Sequence, residues 1–256
     1  MTPSRGRPEQ LKRMASSARQ TAKSNLEIIV WLDANDPLLT ENLHVCRTEK
    51  MLYQIGPRNV IHSSRWDRLL PLATGELLFH ANDDVVLTTP GWDELVEDYF
   101  AASGDKLWLV GGDDGYLHSE TLIPHPIVHR RWVETLGYFI PPYFDGEWGD
   151  SWASDLATRI GRLKFLPFVC EHIHFSRTDK LTCPKCGRND ANASVAEGTF
   201  CNACGHLWGE SRMDETARTY LARNQAQNPS EIYIEREAER IADAAKLDAL
   251  LGTPWR

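Results

Sequence analysis

The chain has no apolar run near the roughly 20 residues that a membrane-spanning helix needs. Its opening, Met1-Thr2-Pro3-Ser4-Arg5, lacks the apolar core of a secretory signal. Both absences predict a cytoplasmic protein with no membrane partner. Basic charge is also short: 28 Lys and Arg face 36 Asp and Glu, a net charge of −8. No global positive field draws in nucleic acid, so any such contact has to be local. Cysteine is sparse, six in 256 residues, and four of the six fall in two C-x-x-C pairs. In a reducing compartment that spacing argues for metal rather than disulfides. The rest is ordinary: 42% hydrophobic and 25% charged residues suit one large core with a small appendage.

The chain is organised around the stretch Glu76 to Val85, which reads ELLFHANDDV. A mostly apolar run after Gly75 predicts a buried strand that delivers carboxylates to its C-terminal end, the edge where open α/β sheets bind ligands. Asp83 and Asp84 repel each other there unless a cation or water screens them. A solvated turn capping the next helix is the plainer alternative. Leu26 to Asp33 predicts a second buried strand, ending in the acidic loop Asp33-Ala34-Asn35-Asp36. Ser4 to Pro8 reads as a loop opening a helix with Leu11, Met14, Ala15 and Ala18 as its apolar stripe. Further on, Met51 to Ile55 is a short strand, Ser64 to Leu70 a helix and Glu94 to Phe100 another. A strand, Leu107 to Val110, then runs into Gly111-Gly112-Asp113-Asp114. This alternation predicts the α/β class, with a mainly parallel sheet flanked by helices.

Three of these features together carry a resemblance: the strand ending in Asp33, the one ending in Asn82-Asp83-Asp84, and the opening Pro3-Ser4-Arg5-Gly6-Arg7-Pro8. They resemble the inverting family 2 glycosyltransferases with the GT-A fold, in the compact form common in bacteriophage genomes. The resemblance implies a nucleotide-sugar donor lying across the strand ends, with Ser4, Arg5, Asp33, Arg65 and Asp83 around it. It also implies Mn²⁺ or Mg²⁺ on Asp84. Such ions favour one or two carboxylates plus phosphate oxygens, and they neutralise a leaving diphosphate. Asn82 stands where the family's motif has its first Asp, which leaves fewer protein ligands. The family also has a hydrophobic strand before the Ser-Arg-Gly-Arg segment. Either that strand lies upstream of Met1, with the start misassigned, or the sheet lacks it at the cost of many buried contacts. We expect the first.

The segment from His125 to His174 holds the acceptor half of the resemblance. A helix, Arg130 to Leu136, ends at Gly137, an apt C-terminal cap. Tyr143-Phe144-Asp145-Gly146-Glu147-Trp148-Gly149-Asp150 then leads into a helix over Ser151 to Ile160. In the family a carboxylate at this point deprotonates the acceptor hydroxyl; Asp150 matches best, with Glu147 and Asp145 behind it. An inverting transfer needs one base opposite the leaving group. The plainer alternative makes Asp150 a helix N-cap. A last strand, Leu163 to His174, ends in His-x-His, a spacing that puts both imidazoles on one side. The resemblance implies His172 as a further metal ligand.

Beyond this the chain leaves the compact family pattern. Cys183-Pro184-Lys185-Cys186-Gly187 and Cys201-Asn202-Ala203-Cys204-Gly205 form two C-x-x-C pairs fourteen residues apart. They resemble a zinc ribbon, each pair chelating one side of a structural Zn²⁺ and each glycine freeing a knuckle turn. Cys46 and Cys170 read as small core residues. Between residues 177 and 210 the basic Arg177, Lys180, Lys185 and Arg188 are matched by Asp179, Asp190, Glu197 and Glu210. A stapled insertion beside the acceptor is therefore at least as well supported as a nucleic-acid contact, which needs basic charge. After the ribbon, Met213 to Tyr220 resumes the family's own pattern. A C-terminal helix follows, capped by Ser230, with Ile234, Ala238, Ile241, Ala244, Leu247 and Leu251 as its stripe and Glu235, Arg236, Glu237, Glu239 and Arg240 as a solvated face. The predicted units are a catalytic domain (1–176), the ribbon (177–210) and a helical extension packing on the catalytic domain (211–256). The expected activity is metal-dependent, inverting transfer of a hexosyl-type sugar to a hydroxyl, with a hydroxylated base of phage DNA as one acceptor. A nucleotidyltransferase of similar fold and a non-catalytic zinc-ribbon adaptor for nucleic acid are the alternatives. Oligomeric state is not legible.

Overall fold

The computed structural model describes residues 1–58, 63–117, 119–174, 183–188, 191–194, 198–201, 203–208 and 215–255. The first half alternates strand and helix: β1 (Thr2–Ser4), α1 (Pro8–Thr21), β2 (Ile29–Asp33), α2 (Leu39–Thr48), β3 (Leu52–Gly56) and α3 (Ser64–Leu69). Next come β4 (Leu77–Phe79), β5 (Val85–Leu87), α4 (Trp92–Ala102), β6 (Leu109–Asp113), β7 (Ile127–His129), α5 (Arg130–Leu136), α6 (Gly149–Arg159) and β8 (Leu163–His172). The remainder is β9 (Ala191–Ser194), β10 (Gly198–Cys201), β11 (Leu207–Trp208), α7 (Glu215–Gln227), α8 (Pro229–Glu235) and α9 (Glu237–Asp248).

The α/β class holds, and the main sheet is mixed and curled. β1, β2 and β3 pair in parallel, while β4-β7-β6-β8-β5 form a five-stranded sheet in which only β6 and β8 are parallel. Met1 joins the two: its amine donates to Phe79 O at 2.9 Å and its carbonyl accepts from Ala81 N at 3.1 Å. Alternate residues of one strand feed opposite cores, as the two-residue repeat requires. On β7, Ile127 enters the core under α1 and α4, while Val128 enters the one under α5 and α6. The predicted stripe of α1, Leu11, Met14, Ala15 and Ala18, is buried in the first core. Cys46 and Cys170 are core residues, as expected.

Several expectations need correction. Thr2–Ser4 forms a strand, all three residues buried and parallel to β2, so Ser4 ends a strand rather than opening a loop. The stretch 76–85 is two short strands, β4 and β5, split by the loop His80 to Asp84, because the two pair with different neighbours, β7 and β8. Strand β2 starts at Ile29, not Leu26. The C-terminal helix breaks at Arg236 into α8 and α9, and the residue before α8 is Asn228 in the left-handed region, not Ser230. The break rotates the predicted stripe apart: Ile234 is 71% and Ile241 52% exposed, while Ala244 and Leu247 pack against α5 and α6. Arg240, placed on the solvated face, is buried over the Tyr233 and Trp152 rings and pairs with Asp155 at 3.0 Å.

Candidate functional site

A cavity of about 470 Å³ opens at the ends of β1 and β8 and the loop after β4. Ser4, Arg5, Arg65, Asp83, Asp84, Glu147, Asp150 and His172 all line it, as do Arg7, Asn82, His125, His174 and Tyr220. Asp33 does not. It is 1% exposed, accepts from Trp31 Nε1 at 3.1 Å, and lies 3.7 Å from both the Arg5 and Arg65 guanidinium groups, which do reach the cavity. Its place is beneath the site, aiming two arginines.

The acidic loop after β2 is used the same way. Asp36 accepts from Gly6 N through both oxygens at 3.0 Å, and Asn35 accepts from Arg5 at 2.9 Å. Gly6 has φ +65°, a conformation that only glycine adopts without strain, so the Ser4-Arg5-Gly6-Arg7 turn is held from both sides. Thr216 of α7 closes it from above, donating to Arg5 O at 2.8 Å.

Asp83 and Asp84 separate by partner. Ser4 Oγ donates to Asp83 at 2.8 Å and Arg7 lies 3.4 Å away. Asp84 Oδ1 is 3.3 Å from His172 Nε2, with Arg7 at 3.9 Å. Burial acts upward on both carboxyls. It prevails at Asp83, which lies above the usual range, while at Asp84 the His172 contact and the charges of His172 and Arg7 outweigh it and hold that carboxyl low. β8 ends at His172, short of the predicted His174, yet the His172 and His174 rings sit 5.1 Å apart, both on the cavity.

Asp150 lies in the first turn of α6 rather than at its cap; the cap is Trp148, in the left-handed region at φ 80°. Its carboxyl accepts from Ser151 N at 2.8 Å. Burial pushes it up to about 6, with Glu147 adding to the rise and Ser151 N–H and His172 opposing it. Glu147 is exposed at the cavity mouth. Tyr220 of α7 faces the same carboxyls; burial, then Glu147, Asp150 and Asp84, push its hydroxyl upward.

A divalent ion fits Asp84 with His172, a carboxylate oxygen and an imidazole nitrogen close enough to share it. Among the described residues no third Asp, Glu, His or Cys ligand atom joins that pair within 4.8 Å. The other positions of an ion would fall to phosphate oxygens and water, as Mg²⁺ and Mn²⁺ prefer. The cysteines fit zinc: all four sulfurs lie within 4.8 Å of one another, with Cys183 to Cys204 at 3.8 Å and Cys186 to Cys201 at 3.6 Å. A tetrahedral ion with Zn–S bonds of about 2.3 Å requires edges of about 3.8 Å. The two knuckles repeat one geometry. Gly187 N donates to Cys183 O and Gly205 N to Cys201 O, each at 2.9 Å, with both glycines at φ +70°. The ribbon charges at Arg177, Lys180, Asp179, Asp190, Glu197 and Glu210, and both boundaries drawn at 176 and 210, lie outside the described residues.

Sequence reasoning missed Arg7, His125, Thr216 and Tyr220 as site residues. Arg7 was in plain view in the opening motif; the others reach the cavity only through tertiary structure.

No protein-family model matches the chain, and no curated protein matches it. Solved structures do. TarS from S. aureus superposes with a TM-score of 0.53 at 10% identity, over 66% of this chain and 36% of TarS. Its 1-349 form matches with a TM-score of 0.49, also at 10% identity, over 66% of this chain and 59% of that one. The mannosyltransferase PcManGT from Pyrobaculum calidifontis, solved with GDP-Man and Mn²⁺, gives a TM-score of 0.49 at 15% identity, over 67% and 55%. The chain thus spans about a third of the length of TarS, and the likeness is one of fold: the GT-A-like glycosyltransferase architecture.

Proposed function

We propose that the chain is a metal-dependent, inverting glycosyltransferase that moves a sugar from a nucleotide-sugar to a hydroxyl. The observation that carries this reading is one cavity lined by the Ser4 to Arg7 turn, the Asp84–His172 pair and the carboxyl of Asp150. The first holds the donor, the second would hold an ion for its diphosphate, and the third receives the acceptor proton. As that proton passes to Asp150, the acceptor oxygen attacks the anomeric carbon. The bond from that carbon to the diphosphate oxygen breaks on the opposite face, and its electron pair leaves with the nucleoside diphosphate. Arg7, beside Asp83 and Asp84, is placed to meet the charge that develops on the leaving group. A Mn²⁺ or Mg²⁺ ion on Asp84 and His172 would neutralise that charge further. Glu147 at the mouth would orient the acceptor.

In this reading residues 1–176 are the catalytic domain, 177–210 a zinc-stapled insertion and 211–256 a helical extension packed on the catalytic part. A hydroxylated base in DNA, as in a modified phage genome, is the acceptor to test first, because the insertion follows His174 directly and so lies next to the acceptor side in sequence. The test is nucleoside diphosphate release from a panel of nucleotide-hexoses, with Mn²⁺ or EDTA, with and without hydroxymethylated DNA. Mn²⁺-dependent release stimulated by the DNA is the expected result; release that ignores DNA overturns the acceptor, and no release overturns the transferase. Asp84→Ala should abolish the metal-dependent activity while leaving bound zinc unchanged. Loss of both would show that the division into two metal sites is wrong.

A further inference from the structure

His125 is 4% exposed, lines the cavity, and has no hydrogen-bond partner on either ring nitrogen among the described residues. A buried ring that leaves both nitrogens unsatisfied gives up its hydrogen bonds to water for nothing, unless a ligand supplies replacements. Its position is set by the backbone: Pro126 follows, the Pro126 carbonyl accepts from His80 N at 2.9 Å, and β7 begins at Ile127. The ring stands edge-on to His172, with centroids 4.7 Å apart.

Three ligand classes compete for it. A metal ion is the poorer choice, since among the described residues His125 does not join Asp84 and His172 as a third ligand atom within 4.8 Å. A phosphate oxygen only accepts, so it would satisfy the N–H nitrogen and leave the other bare. A hydroxyl both donates and accepts, and pairs with either nitrogen whichever carries the proton. His172 lies 3.3 Å from Asp84 and lines the same cavity as Asp150, so a group beside it sits in the space between the proposed diphosphate and base positions.

We propose that His125 binds a hydroxyl of the sugar being transferred and is a specificity-determining residue of the donor site. This rests on the cavity being a nucleotide-sugar site. The test is calorimetric binding of UDP-glucose and GDP-mannose, against UDP, GDP and Mn²⁺ alone, to the wild type, His125→Leu and His125→Gln. His125→Leu should weaken the nucleotide-sugar by about ten-fold or more while UDP, GDP and Mn²⁺ affinities stay unchanged. His125→Gln, which keeps a donor and an acceptor, should recover part of the loss. The ligand-free Leu variant should melt at or above the wild-type temperature, because it removes unsatisfied buried atoms. A parallel loss of UDP, GDP or Mn²⁺ binding would make His125 a diphosphate or metal ligand and overturn the proposal, as would unchanged sugar binding. If His125→Leu does not fold, His125→Gln decides: sugar binding weakened with UDP and GDP untouched upholds the proposal. A wild type that binds UDP and GDP but neither nucleotide-sugar would overturn the donor-site reading itself, an outcome distinct from any difference between variants.

Discussion

Asp150 carries the sharpest prediction at the scale of one residue. A carboxyl whose folded-state pKa rises from 3.8 to about 6 holds its proton more tightly folded than unfolded. Its favourable contribution is complete below the unfolded value and is lost as pH climbs through the folded one. At about pH 8 the ionised group therefore costs the fold on the order of 2–3 kcal/mol, at roughly 1.4 kcal/mol per pH unit. Asp150→Asn should raise the melting temperature at about pH 8 and leave it nearly unchanged at about pH 4, while cutting kcat/KM by about 10²–10⁴-fold. Wild-type kcat/KM should fall as pH drops below about 6, since a protonated carboxyl accepts no proton. Melts and rates at the two pH values check both limbs, and a variant less stable at about pH 8 would contradict the burial argument. Asp83 and Asp84, which line the cavity, could be singled out in the sequence, because paired acidic residues at strand ends have few structural uses. What Asp33 does was not. Only the fold decides that its charge turns inward onto Arg5 and Arg65 rather than outward to a ligand. His125 was invisible for a related reason: a lone histidine gives no sign of whether its nitrogens will find partners.

At the scale of elements, legibility followed how local the determining contacts are. Helix α5 could be read from spacing and a terminal glycine, and Gly137 does adopt the left-handed conformation at φ 84°. The split between β4 and β5 could not, since it depends on which distant strand each one pairs with. Helix α7 was the least legible, because it is held by polar contacts rather than by an apolar stripe. Asn224 Oδ1 accepts from Glu147 N at 3.1 Å, Arg223 grips Asp145, and Gln227 accepts from Asp145 N at 2.6 Å while donating to Tyr143 O at 2.7 Å. Gly146 leaves room for this docking; a Cβ there would meet Asn224 Oδ1 at 2.7 Å. These bonds fix the approach to Asp150, so Asn224→Ala should cost about 1–2 kcal/mol, roughly 2–8 °C in melting temperature. Catalysis should suffer more than stability predicts, with KM for the acceptor rising and donor affinity unchanged. An equal loss in donor affinity would show that Asn224 acts through the other end of α7, where Thr216 holds the Arg5 carbonyl of the donor turn.

The cysteine cluster poses the question at the scale of the whole molecule. β9, β10 and β11 form a three-stranded antiparallel sheet of their own, and three such short strands bury too little to stand without a staple. Zinc bound by the four cysteines would contribute folding free energy, so its removal should melt that sheet. Whether the melt spreads depends on what the rest of the fold borrows from it. No residue between 175 and 215 lines the cavity among the described residues, and α7, which begins at Glu215, is anchored to Asp145 and Glu147 by its own side chains. Chelation, or Cys186→Ser, should therefore release zinc and remove one early step from the thermal melt. Nucleotide-sugar affinity should stay within about two-fold of the intact protein, while turnover of a macromolecular acceptor falls. Zinc content, melting and donor binding measured on one sample decide the matter. Donor binding lost together with zinc would make the cluster part of the catalytic core, because a true insertion can unfold without moving the Ser4 to Arg7 turn or the Asp84–His172 pair.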